Sequence, residues 1–413
     1  MAKYSTTWTD AIRINHQFHA GMPCRVVQTA DRRFTCRPFA TRSGCQWFYF
    51  CVRVENLPAG EETTIDVNWP RILTAEDLPN ADEEQLRRET RYDSFAKVLS
   101  KICLLSDDMT SFRRAEGVEL TGEGTVSIPI RGTGRDIYIA TQTPYTADRH
   151  EALLTDAEKA EPGCVRTLGL SQAGLPVSAV LLESDAGPEA PTVYIQGYQH
   201  ITEFSGPLVI DAMIRHLLDG APGRELRRKL AFHFVPAVDV DAVFYGPALM
   251  LDPHPADDLR TKNPNRDWRD LQWPEVQAVD RFLRGEAESG RRYVAGLDLH
   301  NGWHMADDSG GTYTVSGPKE HDEQTAARQK QFVDHMLART DHEKPGNYWQ
   351  HAAGGRTFKA YFIDLADTPL AHTVEFSRHM WWNRDRQQYE PYGPHHPEQF
   401  ARQAAEAMVE FFT

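Results

Sequence analysis

His200-Ile-Thr-Glu203 lies between an apolar run, Pro191-Thr-Val-Tyr-Ile-Gln196, and a segment of helical periodicity, Pro207 to Leu218. The first reads as a buried strand and the second as an amphipathic helix. A strand that feeds a helix opens a crossover connection, which commits this part of the chain to an α/β sheet. A second strand-like run, Tyr293-Val-Ala-Gly-Leu-Asp-Leu299, ends directly at His300. Ligand-binding side chains of open α/β sheets gather outside the carboxyl ends of the strands, so residues a hundred positions apart can meet there. Two imidazoles and a carboxylate, with a fourth position left to water, are the donor set of a catalytic zinc site. The expected metal is one Zn2+ per chain, held by His200, Glu203 and His300.

With 17 His and 59 acidic residues, a short His-x-x-Glu also arises by chance, so the weight rests on the ordered set around it. Arg260-Thr-Lys-Asn-Pro-Asn265-Arg266-Asp-Trp268 adds cationic and amide donors. His372-Thr-Val-Glu375-Phe-Ser377 adds a carboxylate after another strand-like run. His300-Asn-Gly-Trp-His304 offers two imidazoles at helical spacing, but Gly302 after a strand argues against a helix, which leaves His304 at the rim.

The pattern along the chain divides it in two. Residues 1–150 hold short β-rich runs at Cys24–Gln28, Gln46–Val54, Thr63–Trp69, Gly124–Ile130 and Asp136–Thr141, with turn signals between them. That spacing predicts a β-sandwich-like domain, interrupted by a charged loop or short helix from Ala75 to Arg91. Residues 151–413 alternate strands (Val177–Glu183, Thr192–Gln196, Leu230–Pro236, Val294–Leu299) with helices (Leu208–Leu218, Glu275–Leu283, Gln324–Leu337, Pro397–Phe412). This predicts α/β architecture: a mixed, largely parallel sheet covered by helices on both faces. The His pair in Pro391-Tyr-Gly-Pro-His-His-Pro397 reads as a surface loop.

The ordered set resembles the zinc carboxypeptidase family related to carboxypeptidase A, and within it the cytosolic carboxypeptidase branch. Gln46-Trp-Phe-Tyr-Phe-Cys-Val-Arg53, Thr143-Pro-Tyr-Thr146 and Leu226-Arg-Arg-Lys-Leu-Ala-Phe-His-Phe-Val-Pro236 also carry the resemblance. The resemblance implies that Glu375 is the general acid/base and that Arg260 steadies the developing oxyanion. It implies further that Asn265 and Arg266 clamp a substrate's terminal carboxylate. Tyr348 or Tyr361 would be the family's mobile tyrosine, although Tyr361 in an apolar run also reads as core. Arg356 and Lys359, in the loop before Glu375, would floor the side-chain pocket and favour Glu or Asp at the substrate's C-terminus. The chain departs from the branch at three places. Ile201-Thr202 replaces Pro-Gly between the metal His and Glu, and Val238-Asp-Val-Asp-Ala242 replaces Asn-Pro-Asp-Gly. Asn263 stands where the family has an Asp that orients a metal His.

The expected activity is therefore hydrolysis of the C-terminal amide bond of a peptide or protein. An amidase acting on small N-acyl amino acids, and a binding protein that has lost turnover, are the competing readings; retention of both Glu203 and Glu375 weighs against the second. A net charge of −14 argues against nucleic acid or an anionic membrane as partner, because phosphate recognition uses a Lys/Arg surplus. No apolar run reaches the ~20 residues of a membrane span, and the N-terminus shows no secretory h-region. Six Cys at 24, 36, 45, 51, 103 and 164 form no Cys-x-x-Cys pair. They read as reduced, buried thiols in a cytoplasmic protein.

Overall fold

The computed structural model describes residues 12–38, 49–68, 99–122, 124–247, 263–302, 311–315, 323–350, 356–366, 368, 370–378 and 380–413. The charged stretch Ala75–Arg91, Cys45, Arg260 and His304 lie outside these residues.

Among the described residues the N-terminal part builds two five-stranded sheets. One contains β1 (Arg13–Asn15), β4 (Cys51–Glu55), β6 (Leu104–Ser106), β7 (Arg113–Arg114) and β10 (Ile137–Ala140), in the order β1-β4-β10-β6-β7. The other contains β2 (Cys24–Ala30), β3 (Arg33–Pro38), β5 (Glu62–Asn68), β8 (Glu119–Gly122) and β9 (Thr125–Arg131), in the order β2-β3-β5-β9-β8. Alternation along the strands turns Val26, Phe34, Cys36, Ile65, Val67, Val126 and Ile128 toward Ile14, Val52, Val54, Ile137 and Ile139 of the facing sheet, and all are buried in one cluster. This is a β-sandwich: each sheet buries one face against the other.

The second part is built on an eight-stranded mixed sheet. Its strands are β11 (Val165–Leu170), β12 (Pro176–Leu182), β13 (Thr192–Gly197), β14 (Ala231–Val235), β15 (Tyr293–Asn301), β16 (Thr312–Val315), β17 (Trp349–Gln350) and β18 (Ala371–Phe376), in the order β11-β12-β14-β13-β15-β18-β16-β17. The central four, β14-β13-β15-β18, are parallel to one another. Their residues are apolar on both faces because helices cover both. Val193, Ile195, Phe232, Phe234, Leu297 and Val374 face α1 (Ala147–Ala160), α2 (Ser205–Leu218), α6 (Glu323–Leu337) and α8 (His396–Phe412). On the opposite face, Tyr194, Val235 and Ala371 pack with α5 (Pro274–Glu288) and α7 (Phe358–Ala366). Position 150 falls inside α1, whose Leu153 and Ala157 join the core of this second part; the short helices α3 (Gly220–Arg227) and α4 (Val240–Tyr245) flank β14 in the chain.

One expectation fails in detail. The stretch before Glu375 is not a loop throughout, because Phe358 to Ala366 is helical. Phe358 and Phe362 stand four apart, on one helical face, and both are fully buried against the sheet.

The topology also decides where side chains meet. From β13 the chain moves to β14 on one side, while β15 adds on the other. That reversal of direction opens a crevice at the carboxyl ends of β13 and β15. His200 follows β13, and His300 lies near the end of β15.

Candidate active site

Donor atoms of His200, Glu203 and His300 lie within 4.8 Å of one another. Glu203 is buried and bridges the two imidazoles. Its Oε1 is 3.2 Å from His200 Nδ1 and its Oε2 is 2.7 Å from His300 Nδ1. The opposite ring nitrogens have their own acceptors. His200 Nε2 lies 3.1 Å from Asn263 Oδ1 and His300 Nε2 lies 2.9 Å from Asp298 Oδ2. Each acceptor takes an Nε2–H and leaves Nδ1 aimed at the shared centre, as orienting partners of metal-binding histidines do. Asn263 thus fills the geometric role that its replacement of an acidic residue put in question, though a neutral amide raises the imidazole's basicity less than a carboxylate would.

Asp298 is fully buried and is itself held by Gln199 Nε2 at 2.6 Å and Gln196 Nε2 at 3.2 Å. The indole of Trp268 donates to Gln199 Oε1 at 2.7 Å. A chain of donors therefore runs from the loop carrying Asn265 and Arg266 into the centre.

Two local devices join the segments that carry these donors. Asn301 Oδ1 accepts the Ser205 N–H at 3.0 Å and Asn301 Nδ2 donates to Ser205 Oγ at 2.8 Å. The residue after His300 thereby caps the helix that follows Glu203, satisfying one of its orphan N–H groups. Gly206 allows the close approach: a Cβ there would stand 2.5 Å from the Leu299 carbonyl oxygen.

The turn itself is strained. Thr202 has φ +67° and Tyr198 φ +55°, a left-handed region that is an outlier for a β-branched residue. Such a conformation costs about 1–3 kcal/mol and persists only where the surroundings over-determine it. Glycine, expected here from the resemblance, would adopt it freely. The Thr202 carbonyl accepts two side-chain donors, Gln142 Nε2 at 2.8 Å and Arg378 Nη1 at 3.0 Å. Beneath the turn, Tyr198, Ile201 and Phe204 pack against Met22, Tyr49, Cys51 and Ala140 of the sandwich.

Glu375 pairs in register with His300 across the parallel strands β18 and β15. Side chains at one register position share a face of the sheet, so the carboxylate stands beside the imidazole. The carboxyl is half-buried, and its desolvation pushes its pKa up to about 7; the positive charge of His300 opposes the shift and the Glu203 carboxylate adds to it. Burial pushes Glu203 upward too, but the charges of His200 and His300 outweigh it and hold that carboxyl well below its usual range. For His300, burial is overcome by Asp298 and Glu203, which together hold a proton on the metal-free ring.

The remaining candidates divide. Asn265 is buried, and its Oδ1 has no hydrogen-bond partner among the described residues. Arg266 is exposed, donates to the Asn265 carbonyl at 2.9 Å and forms no ion pair among the described residues. The nearby carboxylates are engaged elsewhere: Asp267 accepts the Gln272 and Trp273 N–H groups at 2.9 and 2.7 Å, and Asp270 lies 3.1 Å from Arg356 Nη2. Arg356 is exposed and Lys359 is buried in the first turn of α7, so Lys359 is not a solvated loop charge. Tyr361 donates to Asp280 Oδ1 at 2.8 Å and packs against Trp268, which places it in the core beside α5. Tyr348 packs on the other core cluster, with Lys330 Nζ 5.7 Å from its ring centre.

Sequence reasoning missed Arg378 and Gln142. Arg378 had a signal, a cation three residues beyond Glu375 at the end of an apolar strand. Gln142 had none, because only the packing of the sandwich brings it to the turn.

Three protein donors of imidazole and carboxylate type, clustered at a sheet's carboxyl edge with each imidazole oriented from behind, have the composition of a mononuclear zinc hydrolase centre. The zinc carboxypeptidase family model matches residues 150–393, and the chain belongs to that family. The match is to the family as a whole and does not choose a branch within it. A search of curated protein sequences found no match. Among solved structures, the chain is similar to a metallo-carboxypeptidase from Burkholderia cenocepacia, with a TM-score of 0.72 at 18% identity over 97% of this chain and 98% of that one. A metallo-carboxypeptidase from Pseudomonas aeruginosa, in complex with (2-guanidinoethylmercapto)succinic acid, gives 0.71 at 16% over 97% and 98%. Both likenesses are of fold, and they include the sandwich. No helix among the described residues is long and apolar enough to cross a membrane.

Proposed function

We propose that this protein is a zinc-dependent carboxypeptidase that removes the C-terminal residue of a peptide or protein. His200, Glu203 and His300 hold the metal, and Glu375 acts as general acid/base. The carrying observation is the meeting of the three donors at the end of β13 and β15 with Glu375 in register beside His300. Bound zinc supplies Lewis-acid polarisation of a carbonyl and acidification of water. Glu375, with its pKa raised to about 7, takes a proton from the attacking water and returns it to the leaving amine, a task served best near the operating pH. Arg266 would bind the substrate's terminal carboxylate bidentately, with Asn265 beside it; that it pairs with no carboxylate among the described residues supports the reading. Arg260 remains the proposed oxyanion partner.

An acidic preference is the finer part of the proposal. It is assigned to the exposed Arg356, whose guanidinium lies 3.1 Å from Asp270, so that a substrate carboxylate would compete with Asp270 for it. Lys359, one turn on, adds a second positive charge. The five described cysteines, Cys24, Cys36, Cys51, Cys103 and Cys164, are free thiols, which supports a reducing cytoplasmic setting.

The test combines elemental analysis with a release assay. Wild type should carry close to one zinc per chain and free the last residue of a peptide. His200→Ala and His300→Ala should lose the metal. Unchanged zinc in both variants would remove the ligand assignment, and internal cleavage without release of the last residue would remove the exopeptidase reading.

A further inference from the structure

The carbonyl of Thr202 is gripped from two sides by residues far apart in the chain. Gln142 reaches it from the end of the sandwich and Arg378 from just beyond Glu375. Both donors are buried, and Arg378 Nη2 also lies 4.0 Å from Glu203 Oε1. Between His200 and Glu203 only two residues intervene, so the φ of Thr202 sets the distance and angle between the two donors. A β-branched residue leaves the left-handed region readily, because its Cβ crowds the backbone there. Something must hold it.

We propose that Gln142 and Arg378 are positioning residues for the metal, acting together through the Thr202 carbonyl, so that the N-terminal sandwich is a working part of the metal site. The proposal rests on reading His200, Glu203 and His300 as the donors. Gln142 supplies a neutral N–H from the sandwich. Arg378 supplies a charged one, and its positive charge also faces the carboxylate of Glu203. The apolar contact of Ile201 and Phe204 with Tyr49, Cys51 and Ala140 seats the turn on the same domain. Tyr49 meets the Phe204 ring edge-on at 5.0 Å between centroids. Replacing Pro-Gly by Ile-Thr is then coherent: the apolar Ile201 anchors the turn on the sandwich, and the two donors hold the backbone that glycine would have adopted unaided.

The experiment measures the zinc dissociation constant of the full metal-free chain by competition with a chromophoric chelator, alongside thermal unfolding of the same metal-free samples. Gln142→Ala should weaken zinc binding about 10-fold, within the ~10–100-fold range known for partners that orient metal ligands, with little change in the metal-free melting temperature. Arg378→Lys, which keeps the charge but loses the planar fork, should weaken it comparably. Thr202→Gly should bind zinc at least as well as wild type. The double variant Gln142→Ala/Thr202→Gly should recover most of the lost affinity, because glycine holds the turn without the clamp. A purely structural role for Gln142 would not produce that rescue.

Wild-type affinity in Gln142→Ala, or a double variant as weak as Gln142→Ala alone, would overturn the proposal. Should Arg378→Lys fail to fold, the two Gln142 variants decide the matter by themselves. His300→Ala is the separate control for the ligand reading: zinc retained there would overturn that reading, whereas zinc lost there with a normal Gln142→Ala overturns only the clamp.

Discussion

The sandwich and the α/β unit solve burial in opposite ways. The interior between the two N-terminal sheets is apolar side chains and thiols. Its few buried polar groups are paired at the edge: Asn15 donates to Glu55 at 2.8 Å, and Arg33 and Ser127 both donate to Asp66. The α/β unit buries His150, Glu203, His233, Asp298, His300, His342, Lys359, His372, Arg378 and His396. Burying polar and ionisable groups is costly even when they are hydrogen-bonded. A unit with a large apolar core on both faces of its sheet tolerates that cost, and hydrolytic chemistry requires it. The difference teaches that the sandwich lends an apolar support and the Gln142 amide to the Thr202 turn, while the second unit carries the proposed metal donors and Glu375.

The sharpest way to break this division is Glu375→Gln. It should lower the release of C-terminal residues by ~10²–10⁴-fold while zinc content stays at the wild-type level. Near-normal turnover would remove Glu375 from the chemistry, and lost zinc would make it a ligand.

Acid should separate the two units next. Burial lowers the pKa of His342 to about 3 and those of His150 and His396 to about 4. Each folded value lies below the unfolded one near 6.5, so the stability tied to the neutral rings is present above pH 6.5. It is lost as the pH falls toward 4. At pH 5.5 each ring costs about 1.4 kcal/mol, about 4 kcal/mol for the three. In the sandwich, the described histidines His16 and His19 are only partly buried, and burial lowers the pKa of His16 without removing it from solvent as fully as those three. Urea unfolding at pH 7.5 and 5.5, followed by probes in each unit, should show the α/β unit losing stability first, and His342→Leu should narrow the gap by about a third. Equal loss in both units would contradict the comparison.

Ile65→Ala probes the other side. Ile65 is fully buried between the two sheets, and such truncations cost about 2–5 kcal/mol. Stability measured by urea should fall by that amount, with kcat of the folded enzyme within about twofold of wild type. A large fall in kcat at undiminished zinc content would show that the sandwich core communicates with the chemistry. Arg356→Ala is the smallest change. The exposed pair with Asp270 is worth less than about 1 kcal/mol, so stability should barely move, while cleavage of a Glu-ended peptide should fall relative to a Phe-ended one. An unchanged ratio would leave the acidic preference without its residue.

The central strands were legible because their apolar runs are continuous, which is what burial on both faces demands. The clustering of the proposed metal donors was legible because His200 and Glu203 border a strand-to-helix crossover and His300 lies near the end of another strand, and the structure brings their donor atoms within 4.8 Å of one another. Harder to read was Phe358 to Ala366, where an aromatic-rich run fits a strand or a buried helix equally until its neighbours are known. Tyr361 shows the same limit, since its hydroxyl finds Asp280 only after α5 and α7 have packed.

By itself, then, the order of residues determined the α/β pattern, the β-rich first part and the choice of proposed donor residues, all of which depend on local periodicity and side-chain chemistry. Only the tertiary structure decided that Glu375 stands beside His300, that Asn263 and Asp298 orient the two imidazoles, and that Gln142 grips the turn at Thr202. These are contacts between residues 2 to 75 positions apart whose meeting depends on strand register and on how the sandwich seats against the sheet. No local signal encodes such a meeting, because a hydrogen bond across a fold is created by the packing of everything between its partners.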